Sequence, residues 1–256
     1  MQSRRKFLGS AVAASAAAVL PTVFLPYAAR AAGHGADSFA TTNGKISVNP
    51  VDHASFVMQT PSLTIYNDPV GGAEKYADFP KADLILLTHH HGDHYKPDTL
   101  AGLIGEGTRM VVNKRVYEDE NFTDAMRAVS TVMGNGDATM VGDINIEAIP
   151  AYNLTEDRLK YHPKGRDNGY VLMIDGFKVY IAGDTEDIPE MRALTGVDLA
   201  FVPMNLPYTM DEAAAASAVA EFKPTYVYPY HYRNSDVDVF AAAVGDASEV
   251  KRGPWY

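Results

Sequence analysis

The sequence contains no cysteine. Disulfides are therefore excluded, and so is every thiolate metal site, which leaves histidine and carboxylate as the donors for a zinc-type ion. Basic residues are scarce: 22 Lys and Arg stand against 32 Asp and Glu, for a formal charge of −10. A chain this acidic is a poor nucleic-acid binder, because phosphate contacts need clustered cations. It also has no electrostatic reason to cling to an anionic membrane surface. Beyond the N-terminal region no segment reaches the ~18 continuous apolar residues that a membrane-spanning helix requires. No fixed-period repeat is visible.

The first thirty or so residues stand apart from the rest. Ser3-Arg4-Arg5-Lys6-Phe7-Leu8 opens an Ala-rich apolar run that continues to about Tyr27 and ends at Ala29-Arg30-Ala31. A basic head, an apolar middle and a small-x-small end predict a secretory signal peptide over residues 1–31. The paired arginines predict the twin-arginine route, with that export machinery as a partner and the periplasm or cell exterior as destination. Pro21 and Pro26 interrupt the run, so cleavage is expected rather than a retained membrane span. Cleavage removes Arg4, Arg5, Lys6 and Arg30 and no acid, taking the formal charge from −10 to −14. Residues 32–44 are small and polar and read as a flexible lead-in, with His34 inert within it. Residues 45–256 suit one domain with a sizeable core.

Within that domain, short strand-like runs at Lys45–Val48, Ala54–Gln59 and Ser62–Tyr66 are separated by Pro50 and Pro61. The apolar run from Asp83 to Thr88 fits a strand buried on both faces. Pro97 opens a helix through about Ile104, at the first-turn position proline tolerates. Arg109–Asn113 reads as a strand, Lys114–Ser130 as mostly helical, and Ala138–Pro150 as paired strands. Tyr170–Ile174 and Phe177–Ala182 form a predicted hairpin around Asp175-Gly176. Val197–Met204 and Tyr226–Tyr230 are further strands. Asp211–Phe222, with Thr209 as candidate N-cap, and Asp236–Val244 are further helices. Strands early, then strands alternating with helices, argue for a layered α/β domain.

Only eight histidines are present, and four fall in one window, Thr88-His89-His90-His91-Gly92-Asp93-His94. The window follows a buried apolar strand, and in open α/β sheets ligands collect at the carboxyl ends of strands. His89 and His91, two apart, can point the same way from an extended turn. Asp93 and His94 follow at the approach to the Pro97 helix and can face a second ion. Neutral imidazoles and a carboxylate suit zinc or manganese. A polar loop with chance histidines is the plain alternative, and it accounts poorly for this string capping a Leu-rich strand.

The window from His89 to His94 resembles the signature of the metallo-β-lactamase superfamily. The resemblance implies an αββα sandwich of two mixed β-sheets with a dinuclear site at one edge. It also implies three further ligands, matched here by His162 in Tyr161-His162-Pro163, Asp184 in Ala182-Gly183-Asp184-Thr185, and His231 in Tyr228-Pro229-Tyr230-His231-Tyr232. By that similarity His89, His91 and His162 hold one ion, Asp93, His94 and His231 hold the other, and Asp184 bridges. Asp52-His53-Ala54-Ser55-Phe56, Asp68-Pro69, Asn168-Gly169-Tyr170 and Pro203-Met204-Asn205-Leu206-Pro207-Tyr208 look like the branch of small metal-dependent hydrolases near L-ascorbate-6-phosphate lactonase.

The implied activity is hydrolysis of a small-molecule ester, lactone or phosphoester by a metal-bridged hydroxide. Asp93 is a candidate proton acceptor, and His53 either a proton relay or a hydrogen-bonded structural histidine. Asn205 and Tyr208 either contact substrate or form an ordinary turn. Tyr161, Tyr230 and Tyr232 line a pocket or simply pack. His90, between two ligands, points away. Zinc is the first expectation for the two ions, with manganese and iron accepted by the same donors. Two alternatives stand beside this reading: a phospholipid-type phosphodiesterase, for which no apolar rim is legible, and a domain that binds metal without catalysis.

Overall fold

The computed structural model describes residues 36–256. The expected signal peptide and His34 lie outside the described residues. The lead-in expectation is corrected where it is described: β1 (Asp37–Ala40) pairs antiparallel with β2 (Lys45–Asp52). Phe39 explains this, because it is buried and its ring sits 4.8 Å from that of Tyr226. The Tyr228 hydroxyl also donates to Asp37, so one apolar and one polar anchor dock the stretch.

β2 continues through β3 (Ser55–Gln59), β4 (Thr64–Asn67), β5 (Leu84–Leu86), β6 (Arg109–Val112) and β7 (Ser130–Val132), which neighbour one another in that order. Pro50 does not break β2 as expected; it pairs with Phe56. Pairing with β1 stops at Val48, so beyond that point β2 is an edge, where a missing N–H costs little. Pairings are antiparallel up to β4 and parallel from β4 to β7.

The second sheet repeats this plan with unrelated residues. It comprises β8 (Ala138–Val141), β9 (Ile144–Ala151), β10 (Asp167–Ile174), β11 (Phe177–Ile181), β12 (Leu199–Pro203), β13 (Tyr226–Tyr230) and β14 (Glu249–Val250). The β8–β11 pairings are antiparallel and the β11–β14 pairings parallel.

The sheets face each other over an aromatic interior. Phe56 stacks on Phe201 at 4.2 Å, Phe201 stacks on Tyr228 at 5.3 Å, and Trp255 meets all three edge-on. Helices cover the outer faces. α1 (Pro97–Leu103), α2 (Lys114–Tyr117) and α3 (Asp124–Ala128) lie on the first sheet, where Leu100, Val116 and Met126 join one apolar cluster. α4 (Pro189–Arg192), α5 (Glu212–Phe222) and α6 (Val237–Val244) lie on the second, through Met191, Val219 and Phe240. The layers are thus αββα, as the resemblance implies.

Two local expectations are corrected. Residues 114–130 form two short helices instead of one, because Asn113 and Thr123 each cap a new start by accepting a backbone N–H. The cap of α5 is Asp211, which accepts from Ala214 N at 2.8 Å. Thr209 instead accepts the Asn205 N–H at 2.8 Å and closes the turn after β12. Among the described residues no helix is long and apolar enough to cross a membrane.

Candidate metal centre

The site is assembled at the carboxyl ends of parallel strands, where backbone ladders stop and loops turn outward. β4 delivers Asp68, β5 the window from Thr88 to His94, β11 Asp184, β12 Asn205 and β13 His231. The loop between β9 and β10 adds His162, and the β2–β3 turn adds His53. Three of these residues, His53, Asp68 and His231, sit at positive φ of 49°, 41° and 50° without being glycine. Such backbone persists only where its surroundings enforce it, and it gathers at functional sites. Gly183 at φ 66° lets the chain reach Asp184: a Cβ there would stand 2.8 Å from the Asn168 carbonyl oxygen.

Three histidines have their Nδ1 fixed from behind. His94 Nδ1 donates to Asp68 at 2.8 Å and His162 Nδ1 to Asp167 at 3.1 Å. His89 Nδ1 lies 3.0 Å from Thr88 Oγ1, whose hydroxyl donates to Asp68 at 2.6 Å and so must accept from the ring. Each Nε2 is the ring nitrogen left over by these contacts, turned towards Asp184. His94 Nε2 is 3.3 Å from that carboxylate, His162 Nε2 3.4 Å and His89 Nε2 3.8 Å. Asp167 is itself clamped by two 2.8 Å bonds from Arg166. The loop carrying His162 is pinned by Glu186, which accepts the N–H groups of Leu154 and Thr155 at 2.8 Å.

The other flank is organised differently. His231 Nε2 lies 3.2 Å from Asp184 and 3.6 Å from Asp93, and its Nδ1 is buried without a hydrogen-bond partner. His53 Nε2 reaches Asp93 at 3.2 Å, while its Nδ1 meets the Tyr256 hydroxyl at 2.6 Å. Tyr256 in turn accepts the Arg233 N–H at 2.9 Å. With the tyrosine donating to Nδ1, His53 carries its proton on Nε2 and donates it to Asp93.

Electrostatics follow from this packing. Burial alone would push His94 down, but Asp184 and Asp68 hold it well above the usual imidazole range. His89, buried with no facing carboxylate on Nδ1, is driven well below it, first by burial and then by His94. Burial, then His162, pushes His91 down to about 4. Asp184 resists the upward push of burial because His231 and His94 hold it well below the carboxylate range. Asp93 is likewise held far below, despite its burial, by hydrogen bonds from His231 and His53.

Donor atoms converge in three groups, within each of which all lie within 4.8 Å: His89, His91 and His162; His89, His94 and Asp184; and His53, Asp93, His94 and His231. All seven residues expected as ligands are thus brought together, and His53 joins them. Nε2 of His89, His94 and His231 and Oδ1 of Asp184 are buried without any hydrogen-bond partner. Orphaned polar atoms at this depth cost on the order of 1–3 kcal/mol each. A lone-pair cluster of nitrogen and oxygen fits divalent cations, which would satisfy these atoms between them. His90 is outside these groups.

A cavity of about 520 Å³ opens over the cluster. Of the two readings left open for Tyr161, Asn205 and Tyr208, the lining one holds, and Leu206, Arg233 and Asn234 join them. The Tyr161 and Tyr208 rings meet edge-on at 5.0 Å. Tyr230 and Tyr232 do not line it: Tyr230 packs against Phe201 and Trp255, and Tyr232 against Tyr256. An apolar edge, not legible in the sequence, does exist, since Leu206 and Tyr208 are 48% and 44% exposed at the mouth.

Fold and cluster together define a metallo-β-lactamase-type domain, and a family model described as a β-lactamase superfamily domain matches residues 47–231. The chain belongs to the metallo-β-lactamase superfamily. Among its relatives is a protein of Thermococcus kodakarensis named as a UPF0173 metal-dependent hydrolase, 31% identical over 218 residues that cover 80% of this chain and 95% of the relative. One of the same name from Pyrococcus horikoshii is 33% identical, with the same coverage. A crystal structure from Parabacteroides distasonis, described as that of a candidate metal-dependent hydrolase, is 40% identical with a TM-score of 0.75, covering 85% of this chain and 97% of that one. The fold is shared, at 24% identity and a TM-score of 0.66, with a metallo hydrolase of Ignicoccus hospitalis, over 80% of this chain and 94% of that one.

Proposed function

We propose that the chain is a dinuclear metal-dependent hydrolase of a small-molecule ester, lactone or phosphoester. His89, His91 and His162 would hold one divalent ion and Asp93, His94 and His231 the other, with Asp184 shared. Zinc is the first candidate, and manganese or iron would accept the same donors. Bound ions supply Lewis acidity, lowering the pKa of water and polarising the scissile carbonyl or phosphoryl group. The observation that carries this reading is the set of buried, unpartnered Nε2 and Oδ1 atoms facing one another beneath the cavity.

The protein's own groups provide the rest. Asp68, Asp167 and Thr88 fix three imidazoles with Nε2 free, so that no rotation is lost on loading. Asp93 is 41% exposed on the cavity floor and accepts a proton from the attacking water. His53 holds Asp93 through Nε2 and completes the relay. Asn205 and Tyr208 contact the substrate from the cavity wall. We also propose that the chain works outside the cytoplasm after twin-arginine export, which fractionation of a Arg4→Lys, Arg5→Lys variant tests by its retention inside.

The exposed Leu206 and Tyr208 favour one second reading, a phospholipid-type phosphodiester whose acyl portion lies on that edge. The test of the main reading is metal content of the full chain purified without added metal, beside Asp184→Asn. Close to two ions per chain, falling in the variant, is expected, with turnover of 4-nitrophenyl esters or bis(4-nitrophenyl) phosphate that chelator abolishes. One ion or none, with no turnover, overturns it. Preference for a long-chain phosphodiester over its short-chain analogue would promote the second reading.

A further inference from the structure

We infer that the substrate carries an anionic group, a carboxylate or a phosphate, and that Arg233 reads it; the inference rests on the hydrolase reading above. Arg233 contributes the only Lys or Arg side chain to the lining of the cavity. Its guanidinium, on an exposed residue, forms no ion pair and no side-chain hydrogen bond among the described residues; its backbone N–H binds the Tyr256 hydroxyl, and its charge acts on that same tyrosine. The two acids of the lining, Asp93 and Asp184, are both occupied by histidines. The arginine therefore has no partner inside its own site.

Its backbone is held in place. Arg233 sits at φ 41°, two residues after His231 at φ 50°. The Tyr256 hydroxyl holds its N–H at 2.9 Å and is itself bound to His53. Two left-handed non-glycine residues in three cost of order 1–3 kcal/mol each, a strain that persists where the surroundings fix it for a purpose. The chemistry is also selective. A guanidinium matches carboxylate or phosphate with two parallel N–H···O bonds. In a chain with ten more acids than basic residues, an approaching anion meets a repulsive field, which a lone cation at the cavity corrects locally. A neutral substrate would leave that cation without a role. Asn234, beside it in the lining, adds further polar reach.

The test uses the zinc-loaded full chain and its Arg233→Gln and Arg233→Lys variants, folding being checked by circular dichroism. Calorimetric titration compares phenylacetate with its neutral isostere phenylacetamide. The native chain is expected to favour the anion at least tenfold, Arg233→Gln to lose most of that preference, and Arg233→Lys to keep part of it. Phenylphosphonate in place of phenylacetate separates the two anions, the tighter one naming the group. No preference in the native chain overturns the inference, and so does a preference that Arg233→Gln retains, since the bound ions alone then account for it. Turnover of 4-nitrophenyl hemisuccinate against 4-nitrophenyl methyl succinate is measured in parallel. Arg233-dependent binding without turnover of either ester would sink the hydrolase reading and leave this inference standing. Turnover of both at equal rates, with no Arg233-dependent binding, would do the reverse.

Discussion

The two flanks of the histidine cluster are built on different principles. On one, His89, His94 and His162 are buried and each has its Nδ1 tied to a buried oxygen, two of those ties ending on Asp68. On the other, His231 has a free Nδ1, and Asp93 is steered by His53, whose own support is a tyrosine hydroxyl at the surface. The first flank is rigid and charge-braced. The second is open to the cavity and supported through a chain of single hydrogen bonds. A stiff flank suits holding an ion in fixed geometry, and an adjustable one suits proton transfer to and from a substrate.

The comparison can be broken most severely at Asp68. Asp68→Ala removes the acceptor for both His94 and Thr88 inside a fully buried site. Breaking a buried charged pair costs about 3–5 kcal/mol, so thermal unfolding should show a large drop, and chelator competition should show metal affinity falling by about 10–100-fold. An affinity within twofold of native would refute the rigid-flank account. Asp167→Asn keeps the shape and removes the charge, leaving His162 with a weaker acceptor; roughly tenfold loss of affinity is expected in the same assay.

Asp167 also gives the comparison a pH axis. Against the upward push of burial, hydrogen bonds from Arg166 and His162 hold its carboxyl below the usual range. A depressed folded pKa stabilises above the unfolded value of about 4 and loses that contribution as pH falls through the folded one. The melting-temperature gap between native and Asp167→Asn, measured without metal, should therefore be full at pH 6–7 and shrink below pH 4. A gap that widens on acidification would contradict the assignment. The smallest effect is expected on the open flank. Tyr256→Phe removes one hydroxyl from a surface-supported chain, so stability should change by less than about 1 kcal/mol. Turnover should fall several-fold through kcat with KM kept, because Asp93 loses its steering but the cavity keeps its walls. Unchanged kcat would mean that His53 needs no tyrosine behind it.

Much of the candidate site was legible because its donor residues are of a rare type in a fixed spacing. Four histidines in six residues after an apolar strand point to a metal loop, and by the resemblance His162, Asp184 and His231 then fall in order. The braces were not legible. Asp68 and Asp167 are ordinary acids in the sequence, one beside a proline and one beside an arginine, and only the fold turns them onto imidazoles. The hints for Asp68 were its position just past a buried strand and its place in the Asp68-Pro69 motif of the resemblance, neither of which gave it a role. Arg233 and Tyr256 carried no signal, since their roles depend on a left-handed backbone and a contact spanning 203 residues. Helix and strand types followed from apolar pattern. The exceptions were local: Phe39 docking a polar segment, Pro50 pairing inside a strand, and Thr123 restarting a helix.

The donor residues of the cluster run from His53 to His231 along the chain. No contiguous fragment shorter than that interval holds all of them, and a nascent chain that has not yet exposed residue 231 lacks the last donor. Full ion uptake would therefore report completed folding. Bound ions favour the native state by RT ln(1 + [L]/Kd), so a chain cut before His231 keeps the His89, His91 and His162 donors but forgoes the stabilisation that the second ion would bring.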